Sequence, residues 1–320
     1  MQALVYSAPL TLELQDVPEP KPGPGEVVVE VAAAGICGSE LEGFRSQSPF
    51  RVPPLIMGHE LAGRRADDGT PVAVNPLIAC GACDLCLRGL PNVCRNRALV
   101  GIHRAGGFAE RVAVPESSLV PLPADADLPR AALIEPFANG VHAWRLALAQ
   151  DPAIAKVGIV GAGMLGLAVA LVALEAGVRE VALADVSPKR LATAASIGVP
   201  VTAAALEGEH DVIFDAVGSE TTRAASLARL RPGGSTVWIG LHGSAPGFDG
   251  LALIRSEQRV LGTFAYLERD FHAAVELVSR LDDIGWVASR PLSEGVETFL
   301  RLLDGPAAAT KTLLRPDGEA

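Results

Sequence analysis

Residues 157–185, VGIVGAGMLGLAVALVALEAGVREVALAD, restrict this chain to few folds. They open on a short β-branched run, 157–160, suited to a strand buried on both faces. Gly161, Gly163 and Gly166 follow in G-x-G-x-x-G spacing, with Met164 and Leu165 between them, and lead into an Ala/Leu-rich helix. The three glycines suit a tight turn, close approach to a pyrophosphate and close helix–strand packing. Gly177 ends the helix, because glycine best tolerates the left-handed conformation of a C-terminal cap. A second strand, 180–184, ends in Asp185, 19 residues beyond Gly166. There a carboxylate accepts hydrogen bonds from both adenosine ribose hydroxyls and repels a 2′-phosphate, which favours NAD over NADP. A glycine-rich turn alone is weak evidence, but strand, turn, helix, strand and acid in this order are what the fingerprint requires. The same stretch holds an uncharged run of 18 residues, 157–174, near the length of a membrane span. Three glycines in its first half and its strand-type opening argue against that reading.

A length of 320 residues suggests about two domains. Apolar content of 49% with 20% charged residues is that of a well-cored globule. A net charge of −10, with no basic block to offset it, argues against nucleic-acid and anionic-membrane partners. The first residues carry neither a basic nor a long apolar region, so secretion is not indicated and a cytoplasmic enzyme is expected. Short strands and proline turns, including the rigid 18–25 turn, fill the chain to about residue 123. Beyond residue 128 the pattern changes to helices and βα units. A helix is expected over 131–149, with Pro136 as kink or cap, and strands over 212–216, 236–240 and 259–264. Amphipathic helices are expected over 271–281 and 296–304, and a closing strand over 311–315.

Four of the five cysteines, Cys80, Cys83, Cys86 and Cys94, are spaced C-x2-C-x2-C-x7-C in a loop rich in turn residues. Such spacing suits a closed tetrahedral zinc with a structural role; an iron–sulfur cluster and chance clustering are the alternatives. Cys37, His59 and Glu135 are each unconvincing alone, since a lone cysteine is usually a small buried hydrophobe.

Taken together, GICGSE (35–40), GHE (58–60), the four-cysteine lobe, GGFAE (106–110), IEP (134–136) and the glycine-rich unit stand in one order. In this the chain resembles the zinc-dependent medium-chain dehydrogenase/reductase family, on its polyol- and threonine-dehydrogenase side, over essentially its whole length. The resemblance implies an α/β protein: a GroES-like β-rich catalytic domain, 1–137 plus 264–320, carries the zinc lobe at about 79–95. A Rossmann doubly wound parallel-sheet domain, 138–263, is inserted between its two parts, with the active site in the cleft.

It also implies two zinc ions, one catalytic and one structural, with NAD as the hydride acceptor. Cys37 and His59 match catalytic zinc ligands, and the third ligand is either Glu60 or Glu135. Lys311 stands where the family often places a basic partner for the unbound carboxylate. Ser39 matches a hydroxyl that takes the substrate proton; a turn serine capping the next helix is its plainer reading. Glu42 replaces the histidine that ends the relay in many relatives, and simple exposure suits it equally well. Arg190 matches a basic residue against the adenosine ribose, Val217 and Ile239 sit at strand ends where ligands are contacted, and Asn139 matches a residue facing nicotinamide.

The expected reaction is oxidation of a secondary alcohol (polyol, sugar or related compound) to a ketone, or its reverse. Sorbitol-type relatives carry an F-R-Y motif where this chain has Phe264-Ala265-Tyr266, so sorbitol itself is disfavoured. His103 flanks the substrate cleft in relatives, though a surface loop histidine is the simpler reading. A zinc-free enoyl or quinone reductase of the same fold and a non-catalytic nucleotide-binding relative are the alternatives. Homodimers or homotetramers joined near 259–264 are what relatives form.

Overall fold

The computed structural model describes residues 1–46, 48–243, 248–282, 284–305 and 309–316. The chain divides into two compact units, Met1–Glu135 with Ala274–Ala320, and Pro136–Ala273.

In the first unit, strand Glu26–Gly35 is the axis of a seven-stranded sheet. It pairs antiparallel with Glu60–Arg65, Arg111–Pro115 and the C-terminal Lys311–Arg315. Gly35 lies opposite Glu60 and Leu313, so the two ends of the chain meet where the motif residues begin. Long buried runs in strands such as Glu26–Gly35 and Glu60–Arg65, with alternating burial in Arg111–Pro115, surround a core of Leu4, Tyr6, Val29, Val31, Leu61 and Phe108. Helix Gly295–Leu303 closes it: Phe299 takes Phe44 and Phe108 edge-on, with ring centroids 5.4 and 5.7 Å away.

The second unit carries six parallel strands in the order Val201–Ala203, Glu180–Ala184, Lys156–Val160, His210–Asp215, Leu230–Trp238 and Arg259–Gly262. The first strand in sequence, Lys156–Val160, lies between the second and fourth, so the sheet reverses its order there. That is the switch point of a doubly wound sheet, beyond whose strand ends ligands bind. The helix after it, Met164–Glu175, is buried at Leu167, Ala168, Val169, Ala170, Val172 and Ala173, which explains its nearly unbroken apolar sequence. Among the described residues no helix is long and apolar enough to cross a membrane.

The second unit runs to Ala273 instead of ending at 263. The physical reason is Asp270, 1% exposed in helix Glu268–Ser279. It accepts from His142 Nδ1 at 2.8 Å and from Arg145 Nε and Nη2 at 2.7 and 2.6 Å, on helix Ile134–Leu148. Burial opposes its charge, but these bonds hold the carboxyl far below the usual carboxylate range. The helix expected over 131–149 is two, Leu128–Ala131 and Ile134–Leu148, and Pro136 falls in the first turn of the second, where its missing N–H costs nothing.

Candidate active site and metal centres

Strand Glu26–Gly35 ends two residues before Cys37, which caps helix Gly38–Arg45. Glu40, at the third position of that helix, returns its Oε2 to the Cys37 N–H at 2.9 Å. Its other oxygen, Oε1, accepts the N–H groups of Gly58 and His59 at 2.9 and 3.1 Å and lies 2.9 Å from His59 Nδ1. Glu40 is fully buried. Burial raises the energy of its charge, yet His59 and the hydrogen bonds hold its carboxyl below the ordinary range. An ionised carboxylate only accepts, so His59 Nδ1 carries a proton towards Glu40, and a metal ion that displaces the Nε2 proton takes the lone pair of that nitrogen. Burial works against a charged His59, but Glu40 more than offsets it and the imidazole pKa is raised well above normal.

The turn at Met57-Gly58-His59 is gripped from outside by the GGF segment. Gly107 donates to Gly58 O at 2.7 Å and Phe108 to Met57 O at 2.9 Å. Gly58 has φ +100°, and a Cβ there would lie 2.8 Å from Phe108, so both glycine motifs serve one close crossing.

Glu60 opens the next strand. Its carboxylate lies against Gly35, where a Cβ would come within 2.2 Å of Oε2. Lys311 Nζ donates to Glu60 Oε1 and Oε2 at 2.7 and 2.6 Å and to Ile36 O at 3.0 Å. Lys311 is 4% exposed and Glu60 1%. Burial depresses the lysine's pKa, but the Glu60 carboxylate raises it above the ordinary value, so the ammonium stays charged.

Donor atoms of Cys37, His59 and Glu60 all lie within 4.8 Å of one another. One thiol, one imidazole with its tautomer fixed and one carboxylate is a three-donor set with room for a fourth ligand, which fits catalytic zinc. Glu135, buried in helix Ile134–Leu148, is not a member of that convergent set. Ser39 is half-buried beside Cys37, and its Oγ accepts from Arg51 Nη2 at 3.1 Å. Glu42 is exposed, and its carboxylate has no hydrogen-bond or ion-pair partner among the described residues. His103 is exposed; its Nδ1 accepts the Leu99 N–H at 3.1 Å and its ring lies 6.1 Å from Phe50.

The second donor set is Cys80, Cys83, Cys86 and Cys94. Sulfur separations are 3.6 Å for Cys83–Cys86, 3.8 Å for Cys83–Cys94 and 3.4 Å for Cys80–Cys94. Tetrahedral zinc with bonds of about 2.3 Å holds its sulfurs about 3.8 Å apart, whereas a disulfide needs about 2.05 Å. The Cys80 and Asn96 N–H groups point at Cys94 Sγ at 3.4 and 3.3 Å, as suits thiolates. Backbone N–H groups of Cys86 and Arg95 draw the Cys83 thiol down to about 6, while burial pushes Cys86 up to about 12. The set therefore fits a closed structural zinc.

In the second unit, Gly161 turns at φ +99°, and a Cβ on Gly166 would fall 1.8 Å from Gly161 O. Gly163 differs: a Cβ there meets nothing within 4 Å, so the protein's own packing does not demand the glycine. The open space at that helix N-terminus is what a pyrophosphate cradle provides. Met164 and Leu165 form the first turn of the helix above it. Asp185 spans the turn, accepting from Ala162 N at 2.7 Å and Ser187 N at 2.8 Å, and Arg190 Nη1 lies 3.7 Å from its Oδ2. Each carboxylate oxygen keeps a lone pair for a ribose hydroxyl. Asp215, which the sequence reading passed over, orders the neighbouring strand ends. It accepts from Val217 N and Gly218 N at 3.0 and 2.9 Å, and its backbone carbonyl takes the N–H groups of Ile239 and Gly240. Asn139 is half-buried in helix Ile134–Leu148.

The family model described as alcohol dehydrogenase GroES-like domain matches residues 23–124, and that described as zinc-binding dehydrogenase matches 165–280. L-threonine 3-dehydrogenase of Rhizobium etli (strain CIAT 652) is 35% identical over 268 residues, 75% of this chain and 76% of its own length. L-galactonate-5-dehydrogenase of Escherichia coli (strain K12) is 32% identical over 295 residues, 85% of each chain. A solved structure from Sinorhizobium meliloti 1021, described as a zinc-binding dehydrogenase bound to NADP, is 28% identical. It superposes with a TM-score of 0.89 over 98% of this chain and 99% of its own. With two donor sets that fit zinc and a turn that fits a dinucleotide, the chain belongs to the zinc-dependent medium-chain dehydrogenase family, on its polyol- and threonine-dehydrogenase side, whose cofactors are zinc and NAD.

Proposed function

We propose that the protein oxidises a secondary alcohol to a ketone with NAD, the carbinol hydride passing to nicotinamide and the hydroxyl proton to solvent. The observation that carries this reading is the convergence of Cys37, His59 and Glu60, backed by Glu40 and Lys311, beside the Ser39 hydroxyl. Bound zinc supplies Lewis acidity that lowers the carbinol pKa, and NAD accepts the hydride. Cys37, His59 and Glu60 hold the metal. Glu40 keeps the imidazole in the ligating tautomer, and Lys311 balances the Glu60 charge. Ser39 Oγ has one lone pair engaged by Arg51, which leaves another for the carbinol proton and its own proton to pass on. Asp185 and Arg190 hold the adenosine ribose, and Asp185 selects NAD even though a solved relative carries NADP. Cys80, Cys83, Cys86 and Cys94 hold a structural zinc.

The named substrates of two relatives, threonine and galactonate, are secondary alcohols that also carry a carboxylate. The enzyme is read as cytoplasmic and as a homodimer or homotetramer; strand Arg259–Gly262, outermost in its sheet, is the edge such an assembly uses. The test is NADH production over polyols, sugars, sugar acids and amino alcohols, with and without a chelator. Turnover lost on chelation and restored by zinc is the expected result. Turnover that survives full removal of metal overturns the reading.

A further inference from the structure

Arg51 is the feature of the first unit that the reaction above leaves unexplained. It is 7% exposed, yet no carboxylate lies within ion-pair distance of it among the described residues. Of its five N–H donors, one is used by another side chain among the described residues, Nη2 to Ser39 Oγ at 3.1 Å, and its buried Nε has no partner among them. A guanidinium held in this way is costly unless something pairs with it.

The fold nevertheless makes room for it. Gly43, on helix Gly38–Arg45, lies under the side chain, and a Cβ there would come 2.7 Å from Arg51 Cδ and 3.0 Å from Nη1. The local field is positive. Partial burial first, then the charges of Arg97 and Arg51, lower the pKa of His103. The nearby acid that feels Arg51, Glu40, has both oxygens committed to Cys37, Gly58 and His59. The Tyr6 hydroxyl, also within the field of Arg51, is buried without a partner among the described residues as well. Arg51 Nε is left as a donor, and no anionic acceptor among the described residues meets it. Ser39 keeps solvent contact, so a ligand at its hydroxyl stands one hydrogen bond from the guanidinium.

We propose that Arg51, beside the Ser39 hydroxyl that takes the carbinol proton, recognises an anionic group on the substrate, which makes the substrate a secondary alcohol bearing a carboxylate or a phosphate. This rests on the dehydrogenase reading above and narrows it. Arg51 is a specificity residue here, and the planar fork of its guanidinium suits two oxygens of one anion.

The experiment uses the zinc-loaded full chain and compares matched substrates: a sugar acid, a polyol phosphate and the neutral polyol of the same carbon skeleton. Wild type is expected to favour one of the two anions, and which one identifies the group. Arg51→Gln is expected to raise KM for that anion about tenfold to a hundredfold more than KM for the neutral polyol, any change in kcat through Ser39 being common to both substrates. Arg51→Lys, which keeps the buried charge should the glutamine variant fail to fold, is expected to lose several-fold on the anion alone. Preference for the neutral polyol in wild type, or equal losses on charged and neutral substrates, overturns the proposal. A second readout separates the two readings: thermal-shift binding of a non-oxidisable carboxylate or phosphate analogue to the NADH complex. If no alcohol is oxidised but analogue binding is lost in Arg51→Gln, the dehydrogenase reading fails and the anion site stands. If wild type binds neither analogue, the anion site fails.

Discussion

Glu40 Oε1 lies 2.9 Å from His59 Nδ1, and the same oxygen takes the backbone N–H groups of Gly58 and His59. One buried carboxylate thus fixes a ligand's tautomer and the turn that carries it. Glu40→Gln places an amide where the proton acceptor stood, and is expected to weaken zinc binding about tenfold to a hundredfold. Competition with a chromophoric chelator measures this, and unchanged affinity would remove Glu40 from the site.

Glu60 and Lys311 form a buried pair whose partners are 251 residues apart. Lys311→Met leaves a buried carboxylate uncompensated, with an expected loss of about 3–5 kcal/mol in chemical denaturation. Adding Glu60→Gln is expected to restore most of that stability while catalytic zinc is lost. Glu135→Gln, outside the convergent donor set, is expected to retain two zinc ions per chain by elemental analysis. Loss of one ion in Glu135→Gln instead would make Glu135 the third ligand.

What the sequence revealed follows from how far apart the interacting residues are. The glycine turn, its helix and Asp185 lie within one short stretch, and the four cysteines within another, so spacing alone exposes them. Cys37 and His59 were readable through ordered motifs. Glu40 was hidden in plain view: C-G-S-E places a glutamate at the third helical position, the reach of a capping box, and the same carboxylate then extends to His59. Arg51 and Asp215 left no local pattern, because one is meaningful only across Gly43 and Ser39 and the other only across two strand ends. Strands Val201–Ala203 and Val287–Pro291 escaped because they are short and not fully buried, so neither shows an apolar run.

Gly163 and Gly166 separate cofactor effects from packing effects. Gly163→Ala adds a methyl to open space, so melting temperature is expected to hold while the dissociation constant for NADH rises at least about tenfold. Gly166→Ala drives a methyl into Gly161 O, and is expected to lower the melting temperature as well. A Gly163→Ala protein that binds NADH normally would place the pyrophosphate elsewhere.

Asp185 sets cofactor choice through the lone pairs left after Ala162 and Ser187 are served. Asp185→Ser is expected to raise KM for NAD about tenfold or more and to narrow the gap to NADP, with Arg190 then free to meet the 2′-phosphate. Steady-state kinetics with both dinucleotides check this, and an unchanged NAD-to-NADP ratio would take the selection away from Asp185.

His210 opens strand His210–Asp215 at 1% exposure, and neither ring nitrogen has a hydrogen-bond partner among the described residues. Burial, aided by the charge of Lys156, lowers its pKa below the ordinary histidine value. The native imidazole is therefore neutral, while the unfolded one takes up a proton as pH falls below about 6.5. The unfolded state binds more protons in that window, so stability falls with falling pH until the native pKa is reached. The slope for one such group is at most about 1.4 kcal/mol per pH unit, approached only where the unfolded imidazole is charged and the native one is not. His210→Leu has no proton to bind in either state, so its stability relative to wild type is expected to rise between pH 6.5 and 5. Urea denaturation at several pH values measures the difference. A constant gap between the two proteins across that range would show that His210 titrates alike in both states.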